Sequence, residues 1–137
     1  LGDTPFLFAA RGNAALALRR LADLGADRGA RAQGDRNAWH LAAAQGALDA
    51  LASLSDLSVD GLDAADERGH TPIMDLLDCA SAVSDRGRRE ALRSYAVRLA
   101  GQGARVDTKD ADGRSVIDRA GNRDCRTALQ RAARTIA

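Results

Sequence analysis

The chain has 137 residues, of which 45% are apolar but only 3% aromatic, and it carries a formal net charge of +1. That length suffices for one compact domain with its own core. Ala and Leu must supply most of the apolar content, which favours close-packed helices over sheets. Twenty basic against nineteen acidic side chains leave none of the basic excess that nucleic acid or an anionic membrane surface calls for.

The first expected helix starts at Thr4-Pro5 and runs through Phe6-Leu7-Phe8-Ala9-Ala10. Thr can accept a hydrogen bond from an orphan N–H of the first turn, and Pro fits where no N–H is needed. Asn13 is placed to close that helix in the left-handed region. A second helix follows, with Leu16, Leu18, Leu21 and Leu24 at helical spacing as its apolar face.

The pattern then recurs. Asn37-Ala38-Trp39-His40-Leu41-Ala42-Ala43 begins 33 residues after Thr4, with Gly46 as its closing residue and Leu48, Leu51 and Leu54 on the next helix. Thr71-Pro72-Ile73-Met74-Asp75-Leu76-Leu77 begins 34 residues later, followed by Leu92, Tyr95, Ala96 and Leu99. Ser115-Val116-Ile117-Asp118 begins a further 44 on, and Ala128, Leu129 and Ala132 form the inner side of a last helix whose Arg126, Gln130, Arg131 and Arg134 look outward. That third step exceeds the usual period by 11 residues, and a polar, Gly-containing stretch, Ser81 to Arg89, is read as the insertion, a loop that separates two helices. Gly2, Gly69 and Gly113 each sit two residues before the Thr or Ser, with Asp35 in that place in the second unit. Asp66 and Asp110 lie three residues before their glycines. Leu24-Gly25-Ala26-Asp27 and Leu57-Ser58-Val59-Asp60 keep the same step.

This recurrence resembles the ankyrin repeat, a unit of about 33 residues with a T-P-L-H-x-A element. Thr4-Pro5 and Thr71-Pro72 match the front of that element, His40-Leu41-Ala42 its second half, and Gly25-Ala26-Asp27 the turn into the next hairpin. The resemblance implies an all-α helix-turn-helix solenoid with short β-hairpin-like loops, a single domain over residues 1–137. Its units are residues 1–31, 32–63, 64–108 with the insertion at 81–89, and 109–137 as a C-terminal cap. It also gives His40 a structural role, hydrogen bonding to the adjacent hairpin. Trp39 is expected in the core.

Partners of proteins in that family dock on the concave surface of hairpin tips and first helices. The resemblance therefore implies a protein-binding module, with Arg11, Gln33, Arg36, Glu67, Arg68, His70, Asp112 and Arg114 as candidate partner-binding residues and Ala44, Gln45 and Asp78 projecting beside them. Arg36, Arg68, His70 and Arg114 could form a positive ridge for an acidic partner segment. The alternative is a regulatory or structural segment that packs against another domain of its own chain. The apolar start at Leu1, Phe6 and Phe8 has no polar cap, so further repeats of the same chain are expected before it.

Other functions find little in the sequence. HExxH, CxxC, GxSxG and a phosphate-cradling glycine loop are all missing, so no enzyme and no cofactor is expected. Cys79 and Cys125 are the only cysteines; they read as core-filling thiols of a reducing, cytoplasmic compartment, with no support for zinc. Arg119, Arg123, Arg126, Arg131 and Arg134 read as a solvated face, with no interleaved aromatics for stacking on nucleic acid. No apolar run reaches the roughly 20 residues needed to cross a bilayer. Lys109 is the only lysine, and the bias to Arg and Ala is that of GC-rich, bacterial coding.

Overall fold

The computed structural model describes residues 4–57 and 59–134 and is all-α. The helices are α1 (Pro5–Arg11), α2 (Ala15–Asp23), α3 (Ala38–Ala44), α4 (Leu48–Asp56), α5 (Pro72–Ala82), α6 (Arg86–Gly101) and α7 (Arg123–Arg134), with one 3-10 turn at Ile117–Arg119. Among the described residues the only extended pairing is two isolated bridges, Ala32 with Arg36 and Lys109 with Ser115. Leu1, Gly2 and Ser58, which the sequence reading used as landmarks, lie outside the described residues.

Most of the expected helix starts form for the expected reasons. Thr4 Oγ1 accepts from the N–H of Leu7 at 3.3 Å, and Pro5 follows at the first helical position. Asn37 Oδ1 accepts from His40 N–H at 3.0 Å, while Asn37 N–H donates back to His40 Nδ1 at 3.1 Å, a reciprocal cap with histidine in the place of the usual Glu. Ser115 Oγ accepts from Asp118 N–H, and the Asp118 carboxylate accepts from Ser115 N–H. That last cap opens only the single 3-10 turn, so the fourth unit has no first α-helix. Thr71 departs further. Its backbone is extended like the other caps, but its buried hydroxyl has no hydrogen-bond partner, and its carbonyl instead takes the N–H groups of Met74 and Asp75.

The Ser81–Arg89 insertion is not a loop. The α1–α2, α3–α4 and α5–α6 connections are all three residues long. The whole excess goes into helix: α5 has 11 residues where α1 has 7, and α6 has 16 where α2 has 9. Asp85 explains the restart. Its carboxylate accepts from Arg88 N–H at 2.9 Å, capping α6, while Arg89 closes the end of α5 by donating to Val83 O.

The helices pair as α1–α2, α3–α4 and α5–α6; α1 packs on α3, α3 on α5, and α2 on α4, while α7 packs on α6 and the 3-10 turn on α5. Ala9, Ala10, Ala42, Ala43 and Ala80 are buried where the first helices meet, small enough for close approach. Leu18, Leu51, Leu54, Leu92, Leu99 and Leu129 fill the second helices' side of a single continuous core. Trp39 is buried as expected and donates from Nε1 to Val59 O at 3.0 Å. The assumed face of α2 is only half right. Leu18 is fully buried and Leu21 packs partly, but Leu16 is 68% and Leu24 84% exposed.

Truncating a core leucine removes contacts that the surrounding Ala-rich helices cannot move in to replace. Leu51→Ala and Leu99→Ala should each cost about 2–5 kcal/mol, whereas Leu16→Ala should change stability by no more than about 0.5 kcal/mol. Urea denaturation midpoints at constant m-value check both, and equal losses at Leu16 and Leu51 would contradict this packing.

Candidate functional site

Three tight hairpins precede the three later helix starts. Each closes with an N–H donated across the turn, Ala32 to Arg36 O, Asp66 to His70 O and Asp110 to Arg114 O, at 2.7 to 2.9 Å. Asp66 and Asp110 do the work their spacing suggested. Asp66 Oδ1 accepts from the N–H groups of Arg68 and His70, and Asp110 Oδ1 from those of Asp112 and Arg114. The glycine place needs a positive φ, which Gly69 (77°) and Gly113 (82°) supply cheaply and Asp35 (61°) also adopts. The hairpins are also joined to one another. Glu67 N–H donates to Gly34 O at 3.0 Å, and Ala111 N–H to Arg68 O at 2.9 Å.

This arrangement leaves a groove of about 760 Å³ between the first two hairpins and the C-terminal ends of α1 and α3. Gln33, Gly34, Glu67 and Arg68 form one wall, Arg11 and Gln45 stand opposite, and Leu41 and Ala44 give an apolar floor. Five of the eight candidate partner-binding residues thus line one concavity: Arg11, Gln33, Arg36, Glu67 and Arg68. Asp112 and Arg114 are exposed on the third hairpin and do not line it.

The expected positive ridge does not form. Arg68 and Arg114 are exposed, but Arg36 and His70 turn inward into a charged seam beneath the hairpins. Arg36 donates to Asp66 Oδ2 at 3.3 Å, to Asp75 Oδ2 at 3.1 Å and to His40 O at 3.4 Å. His70 Nδ1 lies 3.6 Å from Asp75 Oδ1, and its Nε2 lies 3.4 Å from Asp110 Oδ2. Arg119 then closes the seam, donating to Asp110, to both oxygens of Asp78 at 3.2 Å, and to the carbonyls of Arg114 and Ser115. Arg119 is 5% exposed. Its assignment to a solvated basic face was therefore wrong, and the 3-10 turn that carries it is the reason: the turn aims the side chain back at α5. One signal was available. Arg119 falls 44 residues after Asp75, in register with it, so an acid and a base occupy equivalent positions in adjacent units.

Burial and charge act on the seam in opposite directions. At Asp75 burial outweighs the pull of Arg36 and the carboxyl is pushed up to about 6, with Asp66 and Asp78 adding to the rise. At Asp110 the hydrogen bond from Arg119 wins over burial and, helped by the N–H groups of Arg114 and Asp112, brings the carboxyl down to about 2. Burial pushes the His40 imidazole down, which keeps it neutral, and its Nε2 donates to His70 O at 2.8 Å. The expected structural role of His40 is met. His40, Asp66 and Asp75 lie close enough for one cation to touch all three. Their donor atoms are already committed, however, to Asn37 and His70 backbone groups and to Arg36, so the trio reads as a hydrogen-bonded joint. Cys79 and Cys125 are free, and burial pushes both thiols up, away from the reactive thiolate.

No protein-family model and no curated protein matches this chain.

Two measurements test the seam. Arg36→Ala leaves the Asp66 and Asp75 carboxylates buried without their shared cation. It should cost about 3 kcal/mol, the lower end for breaking a buried pair, because the Arg36 side chain is still 19% exposed. Asp110 stays ionised down to about pH 2 when folded, against an ordinary 3.8. The stability it adds is therefore complete above about pH 4 and is lost as the pH falls toward 2. Asp110→Asn should flatten the stability profile between pH 4 and 2 in acid titrations followed by circular dichroism.

Proposed function

We propose that this chain is a protein-binding module of the ankyrin type, a solenoid of about four helix-turn-helix units that grips a partner segment in the groove between its first two hairpins. The observation that carries the reading is the coincidence between sequence register and concavity. Five of the eight candidate residues that vary between the repeated Thr, Pro, Ala and Gly positions, Arg11, Gln33, Arg36, Glu67 and Arg68, line the groove. The order of helix contacts supports the stack, since each first helix touches the first helix of the next pair. The hairpin-to-hairpin hydrogen bonds at a matching place in each unit support it too.

The chemistry of the groove suits an extended peptide. The amides of Gln33 and Gln45 can both donate and accept, Arg68 and Glu67 offer one charge of each sign, and Leu41 and Ala44 take an apolar side chain. Nothing in that set resembles an activated nucleophile with its base, so binding is the reading rather than catalysis.

The first pair supports a second part of the proposal, that a further unit of the same chain seats against it. Phe8, Leu16 and Leu24 are the large apolar side chains left exposed among the described residues, and all three belong to this pair. Thirty-three residues on, the counterpart of Phe8 is Leu41, which is buried where a preceding pair exists to cover it, while those of Leu16 and Leu24 are Asp49, exposed, and Leu57, half-buried. A Phe8→Cys variant should be modified quickly by a thiol reagent in residues 1–137 and at least tenfold more slowly in a longer reading frame. Equal rates would leave that face without such a neighbour.

Arg68→Glu with Gln45→Arg should abolish capture of the partner while leaving the thermal midpoint within about 2 °C, since both positions are exposed. Arg126→Glu with Arg131→Glu on α7 should leave capture unchanged. The reverse pattern, capture lost with the α7 variant and kept with the groove variant, would move the binding surface to the other end of the molecule.

A further inference from the structure

The repeat carries both walls of the groove one unit further, and there their charge changes sign. Arg11, Ala44 and Asp78 hold the same place in successive units, counted from Thr4, Asn37 and Thr71. Because α1 packs on α3 and α3 on α5, these three make a row across the first helices. Gly34, Arg68 and Asp112 make a second row along the hairpin tips. The groove has Ala44 on one row and Arg68 on the other. One unit on, the same two places are Asp78 and Asp112, both exposed.

Asp78 also belongs to a set of carboxylates that is short of cations. Arg36 is shared between Asp66 and Asp75, and Arg119 between Asp110 and Asp78. Two guanidinium groups therefore serve four carboxylates. The side chains of Asp66, Asp75 and Asp110 are 2%, 7% and 1% exposed, whereas that of Asp78 is 45% exposed. The surplus negative charge thus reaches solvent at Asp78, and Asp112 adds to it. Arg114, on the same hairpin as Asp112, opposes this, but it acts on Asp118 as well. At the far end of the first-helix row the charge is the other way. Arg11 lies there, its guanidinium 5.7 Å from the centre of the Phe8 ring. A partner's cation is repelled at the Arg11 end and attracted at the Asp78 end, so charge decides which way round the partner lies.

We propose that the occupant of the groove is an extended peptide with a lysine or arginine about three residues from an apolar anchor. The anchor sits on Leu41 and Ala44, the cation goes to Asp78 and Asp112, and the whole rests on the groove being the binding surface. The scaffold sets the spacing, since packed helices stand about 8–10 Å apart and an extended chain advances about 3.3 Å per residue. The peptide supplies the positive charge that the four carboxylates lack.

The test pans a phage-displayed library of random peptides on immobilised residues 1–137. Retained clones should carry Lys or Arg about three residues from an aliphatic side chain, at least about threefold more often than the unselected library. A synthetic peptide of one retained sequence is then measured by fluorescence anisotropy. Replacing its cation by Ala should weaken binding about fivefold. Asp78→Asn would also release Arg119, so the exposed Asp112 is substituted instead. Asp112→Lys should weaken the unaltered peptide by a similar factor and leave the Ala-substituted one unchanged. If no clone is retained, or if retained clones still bind Arg68→Glu with Gln45→Arg, the groove reading fails and this one with it. Clones that need the groove but show no such cation would overturn the charge assignment alone. So would a cation whose removal costs the same in Asp112→Lys as in the native chain.

Discussion

Two backbone hydrogen bonds, Glu67 N–H to Gly34 O and Ala111 N–H to Arg68 O, fix how far apart successive hairpins stand. The rest follows from that distance. A hairpin held this close to its predecessor brings the first helix behind it against the previous first helix, and only Ala-sized side chains fit between them. Ala9, Ala10, Ala42 and Ala43 meet that demand and are buried. The same spacing holds the Gln33–Gly34 and Glu67–Arg68 tips side by side, so the groove has a rigid wall. On the proposed reading, a surface made this way needs little ordering when a partner arrives, which is the main way a modest contact area gains affinity.

Much of this was legible because the signals were local. Thr4-Pro5 and Asn37 specify helix starts through hydrogen bonds within three residues of themselves. Gly69 and Gly113 specify hairpins through a φ that other residues adopt at a cost. Even Asp35, the exception in that series, adopts the required left-handed backbone because its place in the repeat demands it. The groove could be anticipated in the same way, since a regular repeat leaves its irregular positions at the tips and on the first helices.

The misreadings came where a side chain's role depends on what lies across from it. Ser81 to Arg89 reads as a loop by its Ser, Asp and Gly content, yet Asp85 caps a helix rich in Arg, and the N-cap bond to Arg88 outweighs the cost of Gly87 inside the first turn. Leu16 and Leu24 have helical spacing, but periodicity cannot tell a face that meets a neighbour within these residues from one that does not. Arg119 was the largest error. Arginines at the surface and arginines buried against carboxylates look alike in a sequence, and the difference lies in the 3-10 turn that redirects this one.

One register position shows how the joints differ along the molecule. It is filled in turn by Phe8, Leu41, Asp75 and Arg119. Early in the chain this position is apolar, and Leu41 at 6% exposure is held by dispersion and exclusion of water, which are indifferent to pH and tolerant of small shifts. Later it is charged, and Asp75 and Arg119 are held by a few directed bonds through His70, Asp110 and Asp78. Removing charges from water is costly, and an apolar pair of the same volume is often at least as stabilising. The charged joint is therefore poor as simple glue. What it adds is discrimination: a slip of the 3-10 turn along α5 would part the buried Arg119 guanidinium from Asp78 and Asp110, whereas a slip between greasy faces costs far less. The contact of the 3-10 turn with α5 is thus sharply specified in its geometry. Directed bonds of this kind fix how the last segment seats, while α7 on α6, with Leu129 fully buried, fills the space beside them.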